Sequence, residues 1–324
     1  MEAESDLSAI SRVFKKLSQG NKGDKIFQGL TLLLSLILPL AILAIFVVLW
    51  RQSEISREMF GISFLWDPTW SNSDQVFGAL TVIYGTLVTS GVAILLAGPI
   101  GLGIAAYLVE IASPRINAVM GFIVEILAAI PSIVYGIWGF FVFAPFLRDW
   151  IVPPLQATLG WTPIFSGNFA LSTVFTASLV LAVMILPTVA SISRDVLSAV
   201  PNTQREGMLA LGATRWEMFR TAVLPYARSG VLGAILLGLG RAVGETIALT
   251  YVLGNAQVMF SSLFQQGSSM AQAIASLFGA STSNVLRSSL LEIGLILFLV
   301  TFLINVGARL LVSSVGRQPS GSNT

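Results

Sequence analysis

Four ionisable side chains stand inside long apolar stretches of this 324-residue chain: Glu125, Arg241, Glu245 and Glu292. An ionisable group within a membrane is costly, so such residues indicate a functional site by default. The planar guanidinium of Arg241 suits bidentate recognition of an oxyanion. The alternative is an ion pair between Arg241 and Glu245, and both interpretations hold if an anion transiently replaces the carboxylate. We expect Glu125 to be structural, either protonated or paired in a subunit interface.

Groups that enzyme catalysis needs are missing from the sequence. It contains no Cys and no His, which excludes thiolate metal sites and removes the commonest acid–base residue at neutral pH. It also lacks the G-x-x-x-x-G-K-[ST] loop that cradles nucleotide phosphates. Neither a metal-binding constellation nor a nucleophile with a positioned base can be assembled. The sequence therefore predicts no enzyme activity, no catalytic residues, no metal site and no bound cofactor.

The elements that must position the four ionisable residues are membrane-spanning helices. Hydrophobic residues make up 55% of the chain and charged residues 10%, against about a quarter charged in soluble proteins. The mean hydropathy is +0.83. A helix needs roughly 20 apolar residues to cross a bilayer, and six runs reach that length: 29–50, 79–109, 119–147, 171–192, 229–253 and 289–312. We predict an all-α, polytopic membrane protein with six transmembrane helices.

The distribution of cations predicts the orientation of these helices. With the N-terminus in the cytoplasm, the external segments keep only four cations, which are Arg51, Arg57, Arg148 and Arg287. By the positive-inside rule, both termini are therefore expected to be cytoplasmic. Residues 1–28 are expected to form a cytoplasmic tail, 29–312 a single transmembrane domain that includes the loop at 193–228, and 313–324 a flexible tail. The first tail has apolar residues at helical spacing with cations between them, which suits a helix on anionic lipid headgroups or a solvated tail.

Small residues and prolines interrupt several of the predicted spans. Pro39, Pro99, Pro131, Pro145 and Pro187 each remove a backbone donor within an apolar run. Such breaks belong where helices pack on one another or line a cavity. In the fifth span, small residues recur every four positions from Gly230 to Ala242, and Gly240 and Gly244 form a second such pair. This pattern indicates close helix packing or space for a passing solute.

The loop at 193–228 carries two capping-box patterns between the fourth and fifth spans. Thr203 and Glu206 form the first pattern, which predicts the start of a short helix that ends at Gly212. Thr214 and Glu217 form the second pattern and predict a helix that ends at Pro225. The loop is thus expected to contain a helix, a glycine turn and another helix. It could dock on a partner protein or simply lie on the membrane surface as a hairpin.

This loop resembles the EAA loop in permease subunits of binding-protein-dependent ABC importers. Glu206, Gly207, Gly212 and Leu224-Pro225 stand at the family's spacing, although Gly207 and Met208 occupy the two alanine positions. The stretches LAAIPSIVYGIWG at 127–139 and GLGRAVGET at 238–246 are similar to the PstC family of phosphate-importer permeases. The related PstA family shares part of the second stretch. The resemblance covers about residues 60 to 309.

The resemblance implies a type I, MetI-like permease fold in the bacterial inner membrane. It implies half of a pathway for inorganic phosphate, a homologous PstA-like permease, a dimeric cytosolic PstB-like ATPase that uses ATP and Mg, and a PstS-like phosphate-binding protein. No nucleic-acid partner is expected. The substrate pathway is expected to include Arg241, Glu245 and Glu292, with Arg241 near mid-membrane and the two carboxylates at similar depth. The ATPase is expected to contact Thr203, Arg205, Glu206, Gly207, Ala210, Leu211, Gly212 and Ala213.

Two other functions stay open from the sequence. The first is a permease of the same architecture that serves another oxyanion, such as sulfate or molybdate. The second is an ATP-independent secondary transporter or channel, which would not need a docking loop. The segment around Arg241 favours the phosphate type over the first alternative, and the capped loop favours an ABC permease over the second.

Overall fold

The computed structural model describes residues 22–316 and is mostly helical over that range. This confirms the predicted all-α class. The amphipathic pattern predicted within residues 1–28 falls mainly on residues 7–17, which lie outside the described residues, as do residues 317–324.

The described elements fall into two units, one ending at Gln52 and one beginning at Ser53. The first unit contains the single apolar helix α1 (Lys22–Gln52). The second contains a two-stranded antiparallel hairpin, β1 (Trp70–Ser71) and β2 (Val76–Phe77), in which Trp70 pairs with Phe77. Its helices are α2 (Glu54–Phe60), α3 (Leu80–Glu110), α4 (Pro114–Ala129), α5 (Ser132–Leu159), α6 (Val174–Ser198), α7 (Asn202–Ala210), α8 (Arg215–Val243), α9 (Ile247–Val252), α10 (Met270–Leu277) and α11 (Asn284–Gly316).

Five helices are long and apolar enough to cross a membrane, namely α1, α3, α6, α8 and α11. The pair α4 and α5 makes a sixth span if the two bent helices are counted together. The number of spans therefore agrees with the sequence prediction. The bounds of the third and fifth spans do not.

The third span is broken where a single helix was predicted at 119–147. Helices α4 and α5 meet at an angle of 90° across Ile130 and Pro131. The residue before a proline is sterically pushed towards extended backbone, and Ile130 has φ −64° and ψ 129°. Tyr135, in the first turns of α5, donates its hydroxyl hydrogen bond to the Leu127 carbonyl at 2.8 Å. The Leu127 carbonyl otherwise accepts only a long bond from the Ile130 amide, at 3.4 Å, since Pro131 has no N–H to donate, and the tyrosine supplies a shorter one.

The fifth span begins and ends earlier than the predicted range 229–253. Helix α8 already begins at Arg215 and stops at Val243, and the chain restarts as α9 at Ile247. Pro225 does not end the helix, as was predicted, because a π-helical segment at Phe219–Val223 directly precedes it. A π segment widens the turn and so accommodates a proline that an α-helical ladder would exclude. As a result, the second half of the loop and the fifth span are one continuous helix.

Helix α6 lies at the centre of the second unit and packs along both α3 and α8. The largest hydrophobic core joins α3, α5, α6 and α9 through buried residues such as Ala97, Tyr135, Ile185 and Leu249. A second core at the loop end of the bundle includes Leu197, Met218 and Val223. The ends of α3, α6 and α8 are therefore held together next to α7.

The small-residue face of α8 packs closely on α6. A Cβ placed on Gly230 would stand 2.5 Å from Cγ1 of Val196, and one on Gly238 would stand 2.7 Å from Cγ2 of Val189. No atom lies within 4 Å of the corresponding position on Gly240. The prediction of close helix packing is thus confirmed for the series from Gly230 to Ala242, and open space remains beside Gly240.

Candidate functional site

Arg241 lies near the end of α8 and points to α6. Its Nη1 donates a hydrogen bond to Oγ1 of Thr188 at 2.9 Å, and the side chains around this bond are partly buried. Within residues 22–316, no ion pair joins Arg241 to Glu245 at 4 Å or less. Because α8 ends at Val243, residue 245 is not one helical turn from residue 241. The predicted alternative of an intrahelical ion pair is therefore wrong in this conformation.

Glu245 lies in the break between α8 and α9 and is 9% exposed. Its Oε1 accepts a hydrogen bond from the Ala248 amide in the first turn of α9, at 3.0 Å. The carboxylate therefore satisfies a backbone donor that has no partner within the helix, and its charge suits a helix N-terminus. Glu245 shapes the chain directly after Arg241 instead of neutralising it.

Glu292 lies in α11 and faces α2. It is 6% exposed and is hydrogen-bonded to Ser56. Oγ of Ser56 also lies within hydrogen-bond distance of Oγ of Ser289, at 3.1 Å, and the Ser56 amide donates a hydrogen bond to Oγ of Ser288 at 3.1 Å. Oε2 of Glu292 has no hydrogen-bond partner among the described residues. The structure thus brings Glu292 to the contact between α2 and α11, and Arg241 and Glu245 have other neighbours.

Glu125 is paired within the chain. Its Oε1 accepts a hydrogen bond from Nη2 of Arg194 on α6 at 3.0 Å. Gly121 makes room for this contact, since a Cβ there would stand 2.0 Å from Nη1 of Arg194. The ion pair ties α4 to α6, so Glu125 has a charged partner within its own chain, where a protonated form or a pair in a subunit interface was predicted.

Helix α7 presents a small, mostly uncharged surface next to the ends of the spans. Leu211 is 84% exposed, and Thr203, Glu206, Gly207 and Ala210 are also exposed. Gly212 has φ +83°, as the sequence predicted, and ends the helix in a Schellman motif. Its amide donates to the Leu209 carbonyl at 3.0 Å, and the Ala213 amide donates to Met208 at 3.2 Å.

Only one of the two predicted capping boxes forms. Thr214 and Glu217 make both reciprocal hydrogen bonds at the start of α8, which confirms the second. The first is wrong, since Pro201 is the N-cap of α7 and Thr203 already lies inside the helix. A residue with helical backbone angles cannot turn its hydroxyl onto the amides ahead of it.

Arg205, expected to contact a partner, points into the protein instead. Its Nε and Nη2 donate to the Glu110 carboxylate, and the Nη2–Oε1 distance is 3.0 Å. The sequence analysis missed Glu110 as a functional candidate, although a carboxylate at the last residue of a helix is unfavourable and requires a nearby cation. It also missed Thr188, because a single threonine within an apolar run gives no sign of a functional role.

The arrangement at Arg241 presents hydrogen-bond donors that suit an oxyanion. Thr188 is the hydrogen-bond partner of Arg241 within residues 22–316, so guanidinium N–H groups stay available to an anion. Over the same residues, no group of three or more Asp, Glu, His or Cys side chains could hold a metal ion. A single guanidinium between packed helices is the kind of weak, reversible anion site that conduction requires.

Comparison with known proteins identifies the family. Residues 97–317 match the family described as "Binding-protein-dependent transport system inner membrane component". The chain is 42% identical to the phosphate transport system permease protein PstC of Pasteurella multocida over 297 residues, which cover 90% of this chain and 92% of that protein. It is 41% identical to PstC of Haemophilus influenzae, over 90% of this chain and 94% of the relative.

Solved structures show the same fold. A bacterial ABC transporter involved in the import of the acidic polysaccharide alginate matches with a TM-score of 0.53 and 16% identity, over 92% of this chain and all of that chain. The MetNI methionine ABC transporter in an inward-facing conformation matches with a TM-score of 0.52 and 20% identity, over 73% of this chain and 95% of that one. Together with the sequence matches, these likenesses show that the chain belongs to the binding-protein-dependent transport system inner membrane component family, in the PstC group of permeases.

Proposed function

We propose that this chain is the membrane permease subunit of an ATP-driven importer of inorganic phosphate. The observation that carries the proposal is the 40–42% identity to PstC permeases over about 90% of the chain. The chain forms half of the phosphate pathway in the inner membrane, and a homologous PstA-like permease forms the other half. A PstS-like binding protein delivers phosphate from outside. Both termini and the loop that contains α7 face the cytoplasm.

Arg241 is the residue that meets phosphate inside the membrane. Its N–H groups beyond the bond to Thr188 can form charge-assisted hydrogen bonds to phosphate oxygens, which are stronger than bonds between neutral groups. The open space beside Gly240, one residue away, leaves room for an anion to approach. Glu245 supports the site by fixing the backbone between α8 and α9. Glu292 belongs to the pathway at the contact of α11 with α2.

The exposed surface of α7 docks on a dimeric PstB-like ATPase, which binds the ATP and Mg. Leu211 supplies an apolar anchor, and the lack of bulk at Gly207 and Ala210 lets another backbone approach closely. A groove of about 500 Å³ runs beside α7 and is lined by Thr203, Gly207, Met208 and Tyr226, among others. The second half of the loop continues into α8 as one helix, so the docking surface is joined through the Gly212 turn to the helix that carries Arg241.

Reconstitution of the importer in liposomes tests this function. We expect phosphate uptake with the ATPase subunit and ATP, and none when either is left out. Uptake that persists without ATPase would contradict the ABC mechanism, and uptake of sulfate or molybdate in preference to phosphate would contradict the substrate.

A variant tests the site separately. Arg241→Gln is expected to abolish uptake while leaving assembly intact, because a neutral amide cannot replace the charged, bidentate guanidinium. Arg309→Gln removes one exposed cation from α11 and is the control, for which normal uptake is expected. Normal uptake by Arg241→Gln would refute the assignment of Arg241.

A further inference from the structure

One guanidinium joins three parts of the chain next to the docking loop. Arg205 lies in α7, and its Nε and Nη2 donate to the Glu110 carboxylate at the end of α3. Nη2 also donates to the Leu197 carbonyl at 2.8 Å, and Nη1 donates to the Val200 carbonyl. Both carbonyls belong to the end of α6 and the turn after it. We call this set, Glu110, Arg205 and the carbonyls of Leu197 and Val200, the latch.

The burial and charge of the latch make it stronger than a surface ion pair. The side chains of Glu110 and Arg205 are 8% and 15% exposed. Glu110 stands at a helix C-terminus, where the helix dipole disfavours its charge, so the guanidinium offsets an existing electrostatic penalty. The Leu197 carbonyl also accepts the Val200 amide at 3.3 Å, a turn bond at the end of α6, and the guanidinium adds a charged donor to it. Because all three guanidinium nitrogens are engaged, a lysine ammonium cannot reproduce the geometry.

The latch is connected to both residues of the Arg241–Thr188 bond. Thr188 lies in α6, whose end the latch holds to α7. Nη1 of Arg215 donates to the Glu110 carbonyl at 3.3 Å, which brings the start of α8 to the same point, and α8 runs unbroken from Arg215 to Val243. Helix α7 also packs through Met208 on the core at the loop end of the bundle, and the latch adds the ion pair that ties it to the end of α3.

We propose that the latch transmits the movement of α7 to α3 and α6, so that Arg205 is a positioning residue and not a contact for the ATPase. This inference rests on the proposed function, in which the ATPase moves α7. With the latch intact, α7 and the ends of α3 and α6 move as one body, so the movement reaches Thr188 on α6. When the latch is lost, α7 follows the ATPase while α3 and α6 stay behind, and ATP hydrolysis no longer drives transport.

The ratio of phosphate taken up to ATP hydrolysed, in liposomes containing the complete importer, tests the latch. Glu110→Gln removes the carboxylate charge, and Arg205→Lys keeps the positive charge but loses the planar guanidinium with its several N–H donors. We expect both variants to hydrolyse ATP at half the normal rate or more, with at least tenfold less phosphate per ATP. Glu125→Gln breaks the second interhelical ion pair found within residues 22–316, which does not involve α7, and should leave the ratio unchanged.

A distance measurement separates failure of the latch from failure of the proposed function. The chain contains no Cys, so Tyr107→Cys on α3 and Gln204→Cys on α7 accept one spin label each. We expect one narrow distance distribution that is the same with and without ATP, and a broad one after Glu110→Gln but not after Glu125→Gln. If the normal importer takes up no phosphate, the proposed function fails, and the distance measurement still decides on the latch.

Two outcomes would overturn the latch. The first is an unchanged ratio of phosphate to ATP in Glu110→Gln and Arg205→Lys, with the narrow distance preserved. The second is loss of assembly in both variants, because the contact would then be a requirement for folding and not a means of transmission.

Discussion

Gly238→Ala is the perturbation whose effect can be worked out most directly from the structure. The added methyl group would lie 2.7 Å from Cγ2 of Val189 and 3.4 Å from Cδ1 of Ile94. Carbon atoms in contact are about 3.5–4.0 Å apart, so α8 and α6 must separate locally by about 1 Å. Val189 cannot yield easily, because it is fully buried and its Cγ1 also packs against Gly101.

The separation should weaken both stability and transport. Overpacking of this kind costs about 1–3 kcal/mol in the free energy of unfolding. Thr188 is the neighbour of Val189, so a shift of about 1 Å stretches the 2.9 Å bond to Arg241 beyond hydrogen-bond range. We expect a lower melting temperature of the purified importer and a reduced rate of phosphate uptake in liposomes.

Two further variants make the prediction specific. Gly240→Ala adds the same methyl group two residues away, where no atom lies within 4 Å, and alanine favours a helix by about 1 kcal/mol. Its melting temperature should therefore be unchanged or higher. Val189→Ala in the Gly238→Ala background removes the clashing atom and should restore part of the loss. Equal melting temperatures for Gly238→Ala and Gly240→Ala would refute the packing argument.

Three more substitutions test separate contacts. Thr188→Val removes a hydrogen bond to a charged group, worth about 1.5–3 kcal/mol, so the rate of phosphate uptake should fall about tenfold or more. Thr188→Ser keeps the hydroxyl and should take up phosphate at a nearly normal rate. Equal rates for the two variants would contradict a positioning role of this hydroxyl towards Arg241. Thr214→Ala removes an N-cap, and we expect a loss of about 1 kcal/mol and faster amide exchange in the first turn of α8, with Thr214→Ser as the control. Gly121→Ala displaces only the flexible end of the Arg194 side chain, so its effect on the melting temperature should be much smaller than that of Gly238→Ala, and an equal loss would show that this guanidinium is rigidly held.

Features that depend on short stretches of chain could be predicted from the sequence. Six apolar runs correspond to the spans, and the family resemblance around Glu206, Pro131 and Arg241 led to the PstC group that the comparisons support. Gly212 and the capping box at Thr214 were also correct. The cap and the glycine turn depend on neighbours within about four residues, and each span depends on the hydrophobicity of one continuous run of roughly 20 residues.

Other local patterns failed because a nearby residue changed the backbone. Pro201 takes the N-cap position and leaves Thr203 inside α7, so the first capping box does not form. The π segment before Pro225 lets α8 continue where the proline predicted an end. A sequence pattern permits these alternatives, and the packing of the surrounding helices selects between them.

Partners of the charged residues were decided by the tertiary structure alone. The sequence determined that Arg241, Glu245 and Glu292 would lie in apolar segments, and helical periodicity suggested a pair between the first two. Because α8 breaks after Val243, Glu245 is hydrogen-bonded to the first turn of α9. Because α2 packs on α11, Glu292 is hydrogen-bonded to Ser56. Arg205 and Glu110 are 95 residues apart along the chain. Contacts over such separations depend on which helices pack together, and no local propensity encodes that choice.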